Sequence, residues 1–108
     1  MLTPNVNATW RPMAISPCTE SYRLDFSDKY HLELAYRPLE NLALIWICLS
    51  DGTVVHETKM EAHSPLHAQQ QAGIEISSLL HNVVVECKEM ESALTSSAWW
   101  RELASQNL

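Results

Sequence analysis

An unbroken, helix-compatible stretch from Ser64 to Leu94 constrains the fold of this chain more than any other feature. Ser64 is a favourable N-cap, and Pro65 is tolerated at the first helical position because the N–H group there has no partner within the helix. No proline follows Pro65. Apolar residues then recur at alternating intervals of four and three, at Ile76, Leu80, Val83, Cys87, Met90 and Leu94. This spacing predicts one long helix over residues 64–94 with a single apolar seam.

A helix of that length would extend roughly 45 Å, which is more than a small sheet needs for cover. We therefore expect part of the helix to pack on its own sheet and part against another chain. The seam is shorter than the three to four heptads typical of a coiled coil, so packing on the sheet alone is the alternative. Thr95-Ser96-Ser97 interrupts the helical pattern, and residues 97–104 are then predicted to form a short second helix. The alternative is that these residues are a frayed continuation of the first helix.

Ahead of the helix the apolar residues recur with a period of two, which is typical of half-buried strands. Residues 22–26 and 30–36 alternate in this way on either side of a turn. Leu42–Leu49 is apolar at every position, as expected for a central strand that is covered on both faces. Asp51-Gly52 predicts a type I′ hairpin turn, after which residues 53–60 form a more polar edge strand.

These patterns predict a single α+β domain of two layers over residues 1–108. Its parts are an irregular N-terminal segment (1–20), an antiparallel β-meander of about four strands (21–60), the long helix (64–94) and the short helix (97–104). Prolines rule out a long regular element before residue 20, although a short edge strand around Met13–Ile15 is compatible with them. The N-terminal segment, the short helix or a second subunit is needed to cover the second face of Leu42–Leu49. We expect a homodimer.

Composition argues against several functional classes. The net charge is −6 and the seven basic residues are scattered, so we do not expect a nucleic-acid partner. The longest apolar run has eight residues, too few to cross a bilayer, and the N-terminus does not resemble a secretion signal. Three cysteines without close pairing fit reduced thiols in the cytoplasm.

The sequence offers no arrangement of residues that predicts catalysis. His63-x3-His67 has a metal-like spacing and His56 is near it, but Ser64-Pro65 places His63 outside the helix. Cys87 lies on the apolar seam, where a buried thiol is chemically inert. We therefore expect a protein that is not an enzyme and that has no metal or cofactor. The alternative is a small-ligand or metal-binding domain centred on His56, His63 and His67.

The adjacent Trp99 and Trp100 are the strongest indication of a binding surface. Neighbouring residues on a helix point about 100° apart, so the two indoles cannot face one core. Tryptophan and arginine are enriched at interface hot spots, and Arg101 follows directly. The alternative is that one indole closes the core and the other lies flat on the surface. The predicted partner-binding residues are Trp99, Trp100, Arg101, Leu103, Met90 and Leu94.

Residues 21–52 have the sequence SYRLDFSDKYHLELAYRPLENLALIWICLSDG and resemble the strand meander of small acidic bacterial type III secretion chaperones. The resemblance implies a cytoplasmic, non-catalytic protein that usually dimerises and binds a secretion substrate or regulator. An anti-activator that sequesters a transcription regulator needs the same properties as such a chaperone, namely an apolar binding surface on an acidic, soluble protein. We thus expect a protein-binding module, acting as a chaperone or as a regulatory antagonist. A further hypothesis is a subunit of an enzyme whose catalytic residues lie in a partner.

Overall fold

The computed structural model describes residues 2–81 and 85–106, with residues 85–87 and 106 described by their backbone only. Five strands come first: β1 (Arg11–Ile15), β2 (Glu20–Leu24), β3 (Tyr30–Arg37), β4 (Leu42–Leu49) and β5 (Val54–Glu61). Three helices follow: α1 (Pro65–His81), α2 (Val85–Thr95) and α3 (Ala98–Gln106). The predicted α+β class, an antiparallel meander followed by helices, is confirmed, with five strands instead of about four.

The strands form one antiparallel sheet in the order β1-β2-β3-β4-β5, so that neighbours in sequence are neighbours in the sheet. At the β2–β3 turn the Ser27 hydroxyl accepts the backbone N–H of Tyr30 at 2.9 Å. A 3-10 turn at Pro38–Glu40 joins β3 to β4 and ends at Asn41, which has a φ of 50°. Because asparagine tolerates this left-handed conformation, the turn closes without a glycine.

The turn between β4 and β5 differs from the predicted type I′ turn. That type needs a positive φ at both central residues, and Asp51 does not have one. Gly52 has a φ of 94°, and its N–H donates to the Leu49 carbonyl at 2.9 Å. The Asp51 carboxylate instead accepts the N–H of Thr53 at 2.9 Å. Gly52 alone therefore supplies the left-handed conformation, and Asp51 stabilises the turn through its side chain.

The additional strand is β1, which lies at a sheet edge within the N-terminal segment predicted to be irregular, and it includes Met13–Ile15, where the sequence allowed a short edge strand. It carries Pro12 at a shift in register, where an edge strand tolerates a residue without an N–H group. Ahead of β1 the chain is tied to the end of β2. The Asn5 N–H donates to the Phe26 carbonyl at 2.9 Å, and the Asp28 carboxylate accepts the Thr3 N–H at 2.8 Å. Pairing to the neighbouring strand thus orders a segment that has little apolar period of its own.

The core lies between one face of the sheet and the helices. The β3–β4 register sets Leu32 opposite Ile47 and, two residues further on, Leu34 opposite Ile45. Opposed residues of an antiparallel pair share a face, and all four side chains are at most 2% exposed. The buried residues of α1 are mostly small: Ala68, Ala72, Gly73, Ile76 and Leu80. Their size allows the helix to approach its neighbours closely.

The predicted helix over residues 64–94 is present as α1 and α2, which pack against each other. The His81 imidazole Nδ1 lies 3.1 Å from a carboxylate oxygen of Glu91 on α2. Ten residues of continuous helix would separate these two positions by about 15 Å. The two helices therefore lie side by side, and the 45 Å span expected for a continuous helix is not reached.

The seam residues at both ends of this stretch are buried in one core. Ile76 and Leu80 on α1, and Met90 and Leu94 on α2, belong to the same apolar cluster as the sheet. Val83 lies outside the described residues, as does the side chain of Cys87. The apolar pattern thus correctly indicated buried positions, but it does not distinguish one long helix from two packed ones.

The predicted short C-terminal helix is confirmed as α3, which packs on the N-terminal segment. Ser97 is its buried N-cap, and the Ser97 hydroxyl accepts the N–H of Trp100 at 3.2 Å. The Trp99 N–H donates to the Ala8 carbonyl at 3.0 Å. The Trp99 ring also meets the ring of Trp10 edge-on, with 5.8 Å between centroids. These contacts join the two ends of the described chain.

Gly73 on α1 accommodates the Trp99 indole. A Cβ atom built on Gly73 would lie less than 3.0 Å from two carbons of that ring, closer than real Cβ atoms approach other atoms. Glycine in a helix costs about 1 kcal/mol relative to alanine. Burial of a large aromatic side chain, here 7% exposed, offsets that cost.

We expect Gly73→Ala to lower the free energy of unfolding by about 1–3 kcal/mol, even though alanine is the better helix former, because the added methyl group displaces the Trp99 ring from a closely packed site. Urea denaturation measures this free energy. Glu75→Ala, at an exposed position of the same helix, is the matched control and should change it by less than about 0.5 kcal/mol. In a Trp99→Leu background the cost of Gly73→Ala should disappear; an equal cost in both backgrounds would contradict this contact.

Candidate functional site

Most of the predicted partner-binding residues lie inside the protein. Each of four is at most 7% exposed and belongs to the core: Met90, Leu94, Trp99 and Leu103. Trp100 is half-buried at the margin of that core, with its ring centroid 6.0 Å from that of Trp99. Arg101 is exposed. One indole therefore closes the core and the other lies nearer the surface, as in the alternative interpretation of the tryptophan pair.

The exposed Arg101 also has a structural contact. Its guanidinium donates a hydrogen bond to the Val6 carbonyl at 2.9 Å and so joins α3 to the N-terminal segment. A partner that contacted Trp99 would first have to separate α3 from Trp10 and from the carbonyl of Ala8. Of the predicted partner-binding residues on α3, Trp100 and the solvent side of Arg101 thus keep accessible surface.

The three histidines of the alternative interpretation do not come together. His56 lies near the start of β5 and lines an apolar cleft of about 330 Å³ with Tyr30, Leu79 and Met90, among others. His63 follows the end of the same strand, and the strand from His56 to Glu61 alone spans about 17 Å. The His63 and His67 rings do stack, with 5.7 Å between centroids, and the backbone N–H of His63 donates to His67 Nδ1. That hydrogen bond occupies one of the two possible ligand atoms of His67.

The sheet face opposite the helices carries an apolar centre, which we call the open face. Its four central side chains are Ala35, Leu42, Leu44 and Trp46. Each is half-buried, and none of them belongs to the core cluster or packs against it. The described helices bury their apolar residues on the other side of the sheet. β4 is thus apolar on both faces, as its sequence indicates, and the described elements cover one of the two.

Charged residues of neighbouring strands surround this apolar centre. The β4–β5 register sets Glu57 opposite Trp46 and Lys59 opposite Leu44, and both charged residues are exposed. The full rim comprises Arg23, Arg37, Glu57, Lys59 and Glu61. An apolar centre inside a charged, solvated rim is the usual anatomy of a protein–protein interface.

At one end of the open face, three side chains of different chemistry meet. His31 and Cys48 are directly opposite each other in the β3–β4 ladder, and both are at most 2% exposed. Glu33 lies two residues from His31 on the same face and is partly exposed. Its Oε2 atom lies 3.1 Å from His31 Nε2 and accepts a hydrogen bond from Cys48 Sγ at 3.2 Å. One carboxylate oxygen therefore joins two buried side chains.

These hydrogen bonds determine the protonation states of the cluster. Partial burial raises the pKa of Glu33, but hydrogen bonds from Cys48 and His31 outweigh that effect and hold the pKa below its ordinary value. Burial and the adjacent Glu33 carboxylate raise the pKa of the Cys48 thiol to about 12. At neutral pH Cys48 is therefore a thiol and not the thiolate that nucleophilic catalysis requires.

Sequence reasoning missed this cluster, because His31 and Cys48 are seventeen residues apart and match no metal-binding or catalytic spacing. The available signal was the alternation itself. His31 and Glu33 occupy the polar positions of an alternating strand, and a residue of the next strand opposite them shares their face. Finding Cys48 there requires the register of the hairpin, which depends on the conformation of its turn.

A second charged group lies beside the open face at the end of β2. The Asp25 carboxylate accepts a hydrogen bond from Arg23 Nε at 2.7 Å and another from the Arg11 guanidinium. Partial burial raises the pKa of Asp25, but the hydrogen bonds and charges of Arg23 and Arg11 outweigh it and lower that pKa. This group connects β1 to β2 through side chains as well as through the backbone.

Three comparisons set this chain against known proteins. Family models give no match, and the comparisons with curated proteins and with solved structures give no match either. The resemblance of residues 21–52 to type III secretion chaperones therefore stays a prediction. Over the described part of the chain, no helix combines the length and the apolar character that a membrane span requires.

We expect Asp25→Asn to lower the free energy of unfolding at neutral pH by less than about 1 kcal/mol, since the ion pairs are partly solvated. Because the folded-state pKa of Asp25 is depressed, the stabilisation is present above the unfolded-state pKa and is lost as the pH falls through the folded-state pKa. The variant and the wild type should therefore converge in acid. Urea denaturation across this range is the measurement, with Glu57→Gln as a control that removes the same charge; a constant difference at all pH values would count against the assignment.

Proposed function

We propose that this protein is a non-catalytic protein-binding module of the cytoplasm, acting as a chaperone or as a regulatory antagonist that sequesters a partner protein. One observation carries the proposal: Leu42, Leu44 and Trp46 form an apolar surface that lies outside the core. Apolar side chains gathered in one half-buried patch within a charged rim favour a macromolecular ligand over a small one.

The open face is well suited to a folded or extended protein segment. It is built on β3 and β4, the two longest strands of the sheet's interior, so its side chains are held by a continuous backbone ladder. Trp46 offers a large aromatic contact at its centre, and tryptophan is among the residues that most often dominate binding energy. The rim carries both signs of charge, which would select the orientation of a partner.

The α3 helix is better suited to supporting the fold than to binding. Trp99 and Leu103 are buried against the core, and Arg101 is engaged with the Val6 carbonyl. We therefore assign the partner contact to the open face and keep Trp100 as the α3 residue that a test must include. The net charge of −6 favours a partner that is basic or apolar where it meets this protein.

Two further parts of the proposal concern location and assembly. Cys48 donates a hydrogen bond through its S–H group, and Cys18 is an exposed free thiol, both of which are suited to a reducing compartment. A homodimer formed through the open face would use the same residues that a partner needs. Sedimentation of the purified protein, with and without partner, distinguishes the two kinds of assembly.

We expect Trp46→Thr to weaken partner binding while the fold is kept, because threonine suits a strand and Trp46 lies outside the core cluster. A native pull-down from the source cells identifies the partner by mass spectrometry, and calorimetry of the purified pair then measures the Kd. Loss of about 2 kcal/mol or more, roughly 30-fold in Kd, is the expected effect. Trp100→Ala is the matched control, which removes an indole from α3 and should bind the partner like the wild type.

Circular dichroism and the urea midpoint must show that both variants are folded. Equal Kd values for wild type and Trp46→Thr would contradict the assignment to the open face. Binding lost in Trp100→Ala alone would move the site to α3. If the wild-type protein captures only copies of itself, the open face serves self-association and the proposal that it sequesters another protein is wrong.

A further inference from the structure

We propose that His31, Glu33 and Cys48 form a binding site for one divalent transition-metal ion, with Zn²⁺ as the best match. The inference rests on the geometry of the cluster and is independent of the proposed protein-binding function. Among the described residues, this is the group in which three such side chains bring their ligand atoms within 4.8 Å of one another.

The chemistry of the three donors matches zinc. Imidazole nitrogen, carboxylate oxygen and cysteine sulfur are the three side-chain ligands that zinc uses in proteins. Magnesium and calcium prefer oxygen ligands only, so a buried cysteine sulfur and an imidazole disfavour them. Three ligands from the protein would leave a fourth tetrahedral position for water or another ligand.

The distances are compatible with that geometry. Around a tetrahedral zinc ion with bonds of 2.0–2.3 Å, ligand atoms lie about 3.3–3.8 Å apart. Here Glu33 Oε2 lies 3.1 Å from His31 Nε2 and 3.2 Å from Cys48 Sγ. The third pair, His31 Nε2 and Cys48 Sγ, lies within 4.8 Å, so side-chain rotations must bring these two atoms towards a common centre.

The fold holds the ligands in place and leaves a route for the ion. His31 and Cys48 face each other across a regular ladder and are at most 2% exposed, so their side chains have little freedom. The Glu33 side chain is 46% exposed and lies between them and the solvent. A metal ion would therefore enter from the open face past the partly exposed Glu33 carboxylate and meet two preorganised ligands.

Metal binding at this site also balances in charge and in protons. An ionised carboxylate only accepts hydrogen bonds, so the protons between the three groups lie on Cys48 Sγ and on His31 Nε2. Metal binding would replace these contacts: Cys48 loses its proton to solvent, and His31 shifts its proton to Nδ1. The thiolate and the Glu33 carboxylate together then neutralise the two positive charges of the ion.

Glu61, His63 and His67 form a second group that could bind a divalent ion at the surface. Variants of this group therefore serve as the control for the proposed site. His63 Nε2 lies 3.3 Å from a Glu61 carboxylate oxygen, but both side chains are more than half exposed. His67 Nδ1 already accepts the His63 backbone N–H. Adventitious binding of a divalent ion would be expected there, without a sulfur ligand.

The test uses the purified full chain, stripped of metal, and titrates it with Zn²⁺ by calorimetry and with Co²⁺ by absorption spectroscopy. We expect one ion per chain, a thiolate-to-Co²⁺ charge-transfer band, and the visible bands of a tetrahedral Co²⁺ site. Calorimetry in buffers of different ionisation enthalpy should show release of one proton per ion, lost in Cys48→Ser.

Glu33→Gln is the principal variant, because the Glu33 side chain is partly exposed and glutamine keeps its size and a hydrogen-bond acceptor. It should weaken Zn²⁺ binding by about 100-fold or more, since even residues that only support a ligand cost about 10–100-fold. His63→Gln/His67→Gln and Cys18→Ser should bind like the wild type. Circular dichroism of each variant confirms that it is folded, and if Cys48→Ser fails to fold, Glu33→Gln and the cobalt spectrum decide.

Four results would overturn the site. They are absence of Zn²⁺ binding by the wild type, Zn²⁺ affinity unchanged in folded Glu33→Gln, a Co²⁺ complex without the thiolate band, and loss of binding in His63→Gln/His67→Gln alone. The last would identify an adventitious surface site. Absence of Zn²⁺ binding by the wild type would leave the cluster as a hydrogen-bonded group only.

Discussion

The register between β3 and β4 is the constraint on which the rest of this structure depends. Because side chains alternate along a strand, the pairing that sets Leu32 opposite Ile47 sends the apolar set to the helices and gathers His31, Glu33 and Cys48 on the opposite face. A slip of one residue in β3 would direct the Glu33 carboxylate into the core, at the cost of burying an unpaired charge. The turn that closes with Asn41 in the left-handed region maintains this register.

The two faces of the sheet consequently have different roles. On the core face, Trp99 lies over Gly73 and against Trp10, so that the C-terminal helix and the N-terminal segment close the core together. The open face keeps its apolar centre around Trp46 outside that core. The residues that stabilise the fold and those proposed to bind a partner thus lie on opposite faces of one sheet. Substitutions at Trp99 are expected to affect stability, and those at Trp46 to affect binding. The three-residue cluster lies on the open face but is anchored by the same ladder.

Local periodicity predicted much of the fold. The alternation over residues 22–36, the apolar run of β4 and the capped start of α1 all lie where their patterns indicated. Local periodicity did not predict two features that depend on contacts between residues distant in sequence. The apolar seam of residues 64–94 is divided between two helices that pack side by side. Its apolar residues are buried against the sheet and against the neighbouring helix, so their spacing is the same as in one long helix. The candidate site likewise required the hairpin register, since His31 and Cys48 are distant in sequence.

The sequence by itself determined the half-buried strands β2 and β3, the turn at Gly52, the capped start of α1, and that β4 is apolar on both faces, because these depend on each residue and its near neighbours. Only the tertiary structure decided that Trp99 closes the core over Gly73, that the helices cover the Ile45 face of β4, and that Glu33 joins His31 to Cys48. An apolar stripe or a polar side chain is compatible with many partners. The partner is selected by shape and register across the whole chain, which no local pattern contains.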